Sequence, residues 1–338
     1  MTARELTESV SLTRAGRLNP AAVGWARQPI IDTAGIGRGH GRNKRWEYWN
    51  VTTPTHILAL TVSSIDYAAV HEVWIFDRAT ERTWSKSATV IPPRGVQLPA
   101  SLEVSPAHAR AKGLVIDIDP VLSPGSMPAQ TGTRLRARID DASFDVLADL
   151  PPGHERLAVV VPWSERWFQY TVKDVARPAS GSVTIEGVTH PIPAGASWAV
   201  LDHGRGRWPY DIRWNWGAGS GRTDGRVIGI QVGGRWTDGT GVTENAMLVD
   251  GRLHKIHEDL RWDYDLADHR RPWRVQGGGL TASFAPFYDK VTRTNLGIVA
   301  SRTDQFFGHW GGAFTTAEGD TIAFDGILGW AEEVHNRW

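Results

Sequence analysis

The chain has 338 residues, no cysteine, and 37 Lys plus Arg against 37 Asp plus Glu. The missing cysteine excludes disulfides, thiolate metal sites and a cysteine nucleophile, and the missing basic excess argues against nucleic acid as a partner. No run approaches the roughly 18 apolar residues of a membrane span, and "MTARELTESVSLTRAG" lacks the apolar core of a secretory signal, so a cytoplasmic protein with no integral membrane segment is expected.

In chain order, the first informative stretch is "GIGRGHGRNKRW" (35–46), basic and glycine-rich, either an anion grip or a solvated loop. Short alternating runs follow. "HILALTVSSI" (56–65), "EVWIFD" (72–77), "LAVVVP" (157–162), "FQYTV" (168–172), "VIGIQV" (227–232) and "TIAFDG" (321–326) read as strands rich in Val, Ile, Thr and aromatics. Between them, "SPAHARAKG" (105–113) reads as a short helix with Ser105 as N-cap and Pro106 at the first turn. "VLSPGSMPAQTG" (121–132) reads as a loop. "SVTI-EG-VTHPI" and "AMLV-DG-RLHKI" place two-residue Gly-containing turns between apolar strands, a strong hairpin signal; "WIFDRATERTW" and "FTTAEGDTIAF" are longer hairpins. Hairpin after hairpin predicts a mainly β fold: two consecutive antiparallel barrels or barrel-like sandwiches with few short helices. The Pro/Ser/Gly stretch 174–181 suggests a boundary, giving an N-terminal unit 1–176 and a C-terminal unit 177–338.

The 17 tryptophans supply large rigid area with one N–H each, suited to a core or to a pocket for flat ligands. The densest stretch is Ser197 to Gly221. In "SWAVLDHG", Trp198, Val200 and Asp202 share one face and Ala199, Leu201 and His203 the other, so Asp202 and His203 point apart unless the pleat breaks at Gly204. In "DIRWNWG", Trp214 and Trp216 make an aromatic wall, with Asp211, Arg213 and Asn215 opposite. "GAGSG" (217–221) lacks the strand-to-helix setting of a dinucleotide site and reads as a loop.

With Asp250 and Gly251 at the turn, Val249 faces Arg252, Met247 faces His254, Asn245 faces Ile256, and Glu244 faces His257. Asn245 and His254 then lie on an apolar face suited to a barrel interior, and Glu244 and His257 would form either a surface ion pair or a contact that orients the His257 imidazole. His254 and His257 fall on opposite faces, so no metal site is expected. "WTDGTGVTEN" (236–245) places Asp238 and Glu244 on or beside a flexible loop, and "FFGHWGG" reads as a strand bend. No P-loop, nucleophile elbow or Cys/His cluster occurs, and no cofactor is expected.

The phrases "GRLNPAAVGWARQPI", "GRNKRWEYWN", "DHGRGRWPYDIRWNWGAGSG", "GGRWTDGTGVTENAMLVDGRLHKIHEDL" and "GWAEEVHNRW" together resemble the bacterial family called domain of unknown function 2804, along nearly the whole chain. That resemblance carries no activity. More remotely, the layout is similar to two-domain calycin-like proteins: carotenoid 1,2-hydratases, tocopherol cyclase and Diels–Alderases. Those have tandem lipocalin-like barrels and lipophilic substrates. The hydratases carry an Asp-His-x-Trp-Gly phrase, and Asp202-His203 sits comparably, although Arg205 stands where the Trp belongs and Trp208 would have to substitute.

The resemblance implies a lipophilic small molecule as partner. The residues leave three readings open. One is hydration, cyclisation or isomerisation in a Trp-lined cavity, with Asp202, His203 and Glu244 as acid or base. Asn215, Asn245 and His254 would then make polar contacts, and Trp198, Trp214 and Trp216 would be walls. The second is a lipid or isoprenoid carrier or sensor with the same cavity and no chemistry. The third is glycan processing, which requires paired carboxylates across an open cleft.

Overall fold

The computed structural model describes residues 3–102, 105–124, 130–295, 297 and 299–338. Strands fill it; the helical turns among the described residues are two single 3-10 turns, Pro20–Ala22 and Ala34–Ile36. No helix is long and apolar enough to cross a membrane among these residues.

Two antiparallel sheets carry the fold, matching the expected class of two consecutive barrel-like units. The fourteen-stranded sheet runs, in spatial order, Val96–Gln97, Ala107–Ala111, Leu114–Leu122, Gln130–Ile139, Ala142–Asp149, Phe168–Ile185, Trp198–Arg207, Asn43–Thr52, His56–Ser64, Ala69–Asp77 and Thr83–Val90. Leu157–Pro162, Gly24–Ala26 and Val188–Ile192 join it alongside. The nine-stranded sheet runs Arg252–Ile256, Asn245–Val249, Arg226–Gly234, Asp211–Thr223, Thr321–Arg337, Ala300–Thr315, Leu280–Asn295, Trp273–Gly277 and Arg261–Asp263.

Period-two alternation divides the apolar side chains into three layers. One fills the inside of the first sheet, with Trp49, Leu60, Ile75, Ile116, Leu135 and Val160. One fills the inside of the second, with Ile230, Met247, Trp273, Phe306 and Trp310. The third lies between the sheets: Ile57, Trp74 and Val159 from the first meet Trp216, Leu248, Phe307 and Trp330 from the second. Each sheet therefore buries both faces over part of its area, which is why strands such as Trp198–Arg207 and Asn245–Val249 are buried almost throughout.

The expected strands and hairpins form. Val188 pairs with Ile185 and Arg252 with Val249, and both turns use positive φ at their two central residues, 50° and 83° at Glu186-Gly187 and 51° and 83° at Asp250-Gly251. That is the twist-matched two-residue turn.

Three expectations change. The stretch "SPAHARAKG" is no helix: Ala107–Ala111 is a strand paired with Leu114–Leu122, because burying Ala107 and Ala109 on one face outweighs alanine's helical preference. The glycines of "GAGSG" are no loop; they lie within Asp211–Thr223. A Cβ at Gly217 would lie 2.6 Å from the Trp310 ring, so the missing side chain is what lets that indole lie on the strand. The stretch 174–181 lies inside the strand Phe168–Ile185, and the chain passes from the first sheet to the second between Arg207 and Asp211. Residues 168–178 pair with Trp198–Arg207, a register shift follows Asp174, and residues 179–185 pair with Ala142–Asp149. The bulge falls at Val175-Ala176, and the Pro/Ser/Gly residues 178–181 mark where the strand exchanges Trp198–Arg207 for Ala142–Asp149 as its neighbour. Of the expected loop 121–132, residues 125–129 lie outside the described residues; Val121–Leu122 end one strand and Gln130 begins the next.

Candidate functional site

The polar groups between the sheets converge on Lys173. Alternation along Phe168–Ile185 sends Tyr170 and Val172 into the first sheet's interior, leaving Gln169, Thr171 and Lys173 toward the second sheet. Asp202 is the direct cross-strand neighbour of Lys173. The Lys173 Nζ lies 3.0 Å from Asp202 Oδ2 and 3.4 Å from Glu244 Oε2, and 4.1 Å from the centre of the Trp216 ring. The Thr171 hydroxyl donates to Asp202 Oδ1 at 3.1 Å. The Trp236 indole donates to Glu244 Oε1, and Gln231 joins the two halves, accepting from Trp216 Nε1 at 2.9 Å and donating to the Glu244 carbonyl at 3.0 Å. Gly233 leaves room for the Glu244 carboxylate, which a Cβ there would overlap.

Glu332 completes the cluster from Thr321–Arg337. It accepts from Trp214 Nε1 at 3.0 Å and from Gln305 Nε2 at 2.9 Å. Burial pushes its carboxyl up to about 7, the Trp214 bond and the Lys173 charge pull it back, and Asp202 raises it further. Glu244 is raised too, burial outweighing Lys173 and the Trp236 bond. For Lys173 itself burial favours the neutral amine, but the Asp202 and Glu244 carboxylates outweigh it, and its pKa lies above the ordinary lysine value. Three carboxyls around one ammonium leave a surplus of acid in a desolvated place. The arrangement can hold a carboxylic acid protonated near neutral pH.

Aromatic rings close around the cluster. Trp208 stacks on Trp236 with centroids 5.8 Å apart, and Trp163, Trp214 and Trp46 meet it edge-on at 5.1, 5.9 and 5.5 Å. Trp216 meets Trp330 edge-on at 5.0 Å, and Tyr48 abuts both. Tyr48, Trp46, Trp163 and Trp214 are partly exposed, and the Asp202 side chain keeps 11% of its surface open, so the cluster reaches solvent along its aromatic rim. Trp208 lies on the Asp202 side and Arg205 on the opposite face, where its guanidinium donates to Pro99 O at 3.0 Å.

The sequence-predicted residues divide. Asp202, Glu244, Trp214 and Trp216 meet in the cluster, and Trp198 lies in the same inter-sheet layer. His203 points into the first sheet, fully buried, 3.6 Å from Glu47 Oε1 and edge-on to Tyr170 at 6.0 Å; the strand separates it from Asp202. Glu244 does not pair with His257: register ends at Asn245 opposite Ile256, and His257 stands against Trp25 at 5.8 Å. Asn245 and Asn215 face the second sheet's interior. Asn245 accepts from Gly233 N at 2.7 Å and donates to Glu258 O at 3.1 Å, and Asn215 donates to the Tyr264 hydroxyl at 3.1 Å. His254 lines a separate open cleft of about 660 Å³ with Arg252, Asp224 and Glu318. Lys173, Glu332, Gln305 and Tyr48 escaped sequence reading. The available signals were a lysine at an inward strand position in "YTVKD" and paired glutamates in "WAEEVH", neither distinctive without the partner strand. No group of three His, Cys, Asp or Glu fit to hold a metal occurs among the described residues.

The family model described as "Domain of unknown function (DUF2804)" matches residues 3–338. No curated protein matches the chain. Among solved structures, kievitone hydratase from Nectria haematococca is similar with a TM-score of 0.50 at 9% identity, covering 89% of this chain and 90% of that one. An AttH-like protein from Nitrosomonas europaea is similar with a TM-score of 0.50 at 12% identity, covering 90% and 96%. At such identities the likeness is one of fold.

Proposed function

The chain belongs to the DUF2804 family, and from that premise we propose that it binds a lipophilic small molecule against the tryptophan-rimmed carboxyl cluster between the sheets and performs general-acid chemistry on it, as hydration, cyclisation or isomerisation. The observation that carries this reading is the Glu332 carboxyl, raised to about 7 by burial beside the Lys173–Asp202–Glu244 group. A carboxylic acid poised near neutral pH is matched to proton transfer.

In this reading Glu332 gives its proton to one carbon of a carbon–carbon double bond, whose π pair forms the new C–H bond. The neighbouring carbon becomes cationic beside Trp216 and Trp330. The Lys173 ammonium already occupies the Trp216 face at 4.1 Å, so stabilisation of the new cation falls to the Trp330 ring and the neighbouring carboxylates. Water adding to that carbon and yielding a proton to Asp202 or Glu244 gives hydration. Loss of a different proton to the Glu332 carboxylate gives isomerisation; attack by a second double bond closes a ring and moves the cation to that bond's far carbon, from which a proton returns to Glu332. The fold neighbour named a hydratase agrees with the first outcome. The carboxyls are buried beneath indoles rather than facing each other across an open groove, which takes support from the glycan reading.

The test compares lipophilic compounds that co-purify with the full chain and with Glu332→Gln, by organic extraction and mass spectrometry. The expected result is a compound enriched on both, 18 mass units heavier on the wild type for hydration, or equal in mass with altered retention for isomerisation or cyclisation. The same unaltered compound on both proteins makes this a carrier, and no enriched compound overturns the reading.

A further inference from the structure

The opposite face of the same strand carries a second polar group of different character. Register places Arg213 opposite His335, His335 opposite Arg302, and Arg302 opposite Arg293, one row across four adjacent strands on the second sheet's inner face. Arg337 follows in the next row, opposite Asp211 and Ala300. Arg302 and Arg293 are like charges directly opposite each other, an arrangement that destabilises a sheet unless counter-ions meet it.

The carboxylates beside it are committed from below. Asp304 is paired with Arg293 and lies 3.4 Å from Arg302, and Glu333 is paired with Arg302 and lies 3.2 Å from Arg235; both acids are buried. Asp211 is held by His335 at 2.8 Å. Arg213 and Arg337 make no ion pair among the described residues. Above the row lies a groove of about 510 Å³ lined by Arg293, Asn295, Ala300, Arg302, His335 and Arg337, together with Thr294 and Ser301, and no carboxylate lines it.

We infer that this groove is an anion site, taking a compact oxyanion, the phosphate or carboxylate of a small molecule. Guanidinium forks bind such groups bidentately, and an oxyanion in the groove supplies the counter-ion that the Arg337 guanidinium lacks among the described residues. The site is independent of the carboxyl cluster: Glu332 and Glu333 are neighbours in sequence that project to opposite faces.

Inorganic phosphate and, separately, acetate are titrated into the full chain at constant ionic strength, followed by calorimetry and by the arginine Nε–Hε NMR signals. Saturable one-to-one binding of at least one anion is expected, weakened tenfold or more by Arg337→Gln and unchanged by Glu332→Gln. The stronger-binding anion assigns the head group. Because Arg337 carries no internal ion pair, its replacement spares the fold, checked by an unchanged melting temperature. If neither anion saturates, or if Arg337→Gln leaves affinity unaltered, the inference is overturned.

Discussion

Lys173 and Asp202 face each other across adjacent strands at 3.0 Å, with 6% and 11% of their side chains exposed, and the same ammonium reaches Glu244 on the other sheet. Lys173 therefore serves as counter-ion for both sheets at once. Removing one partner of a buried pair leaves uncompensated charge and costs about 3–5 kcal/mol, whereas neutralising every member is far milder. Lys173→Met is expected to destabilise by that amount in urea unfolding, and Lys173→Met with Asp202→Asn and Glu244→Gln to recover most of it. An unchanged unfolding midpoint in the single variant would show that the ammonium is not holding the acids.

Glu332 makes the cluster sensitive to pH. Its folded pKa, about 7, lies above the ordinary glutamate value of 4.5. The native state thus binds a proton that the unfolded state has released, so the stability this group contributes is complete below about pH 4.5 and is lost as pH rises through 7. That rise in pKa corresponds to on the order of 3 kcal/mol. His71 and His203, lowered to about 4 by burial, act in the opposite direction over part of this range. The measurement is therefore the stability difference between wild type and Glu332→Gln between pH 4 and 8, and it is expected to shift toward the variant with rising pH. A pH-independent difference would contradict a raised Glu332 pKa.

The fold was legible because it rests on local pattern. Two-residue turns at Glu186-Gly187 and Asp250-Gly251 and alternating Val/Ile runs need only neighbours in sequence to be read. Alternation also separated Asp202 from His203 correctly. What resisted reading depends on partners far along the chain. The glycines at 217–221 look like a loop until Trp310 is placed on them, and Pro178 looks like a linker until the strand is seen to change neighbours there. Lys173 and Glu332 become a site only when the second sheet closes over the first, a contact that no spacing rule reports.

Gly233 tests how tightly the cluster is fitted. A methyl group there would overlap the Glu244 carboxylate, which is held by Trp236 and Lys173 and has no open direction to retreat. Overpacking a fitted interior costs roughly 1–3 kcal/mol. Gly233→Ala is expected to lose about that much in thermal unfolding, and Gly233→Ala with Glu244→Ala less than the sum of the two singles, because the second change removes the atoms the first displaces. Strict additivity would mean that the glycine and the carboxylate do not meet.

His203 separates the two faces of its strand experimentally. Its ring is fully buried against Glu47 and Arg205 in the first sheet's interior, while Asp202 serves the cluster. Burial, with the Arg205 charge, lowers the His203 pKa to about 4 despite Glu47. The unfolded chain then takes up a proton that the native state refuses, so stability is present above pH 6.5 and is lost as pH falls toward 4, by on the order of 3 kcal/mol. His203→Gln should shrink that acid limb to the part His71 contributes and leave the co-purifying compounds as in wild type. Asp202→Asn should leave the acid limb in place and alter those compounds. Were His203→Gln to change the bound compounds as strongly as Asp202→Asn does, the two faces would not be functionally separate and the inter-sheet cluster would not be the seat of the chemistry.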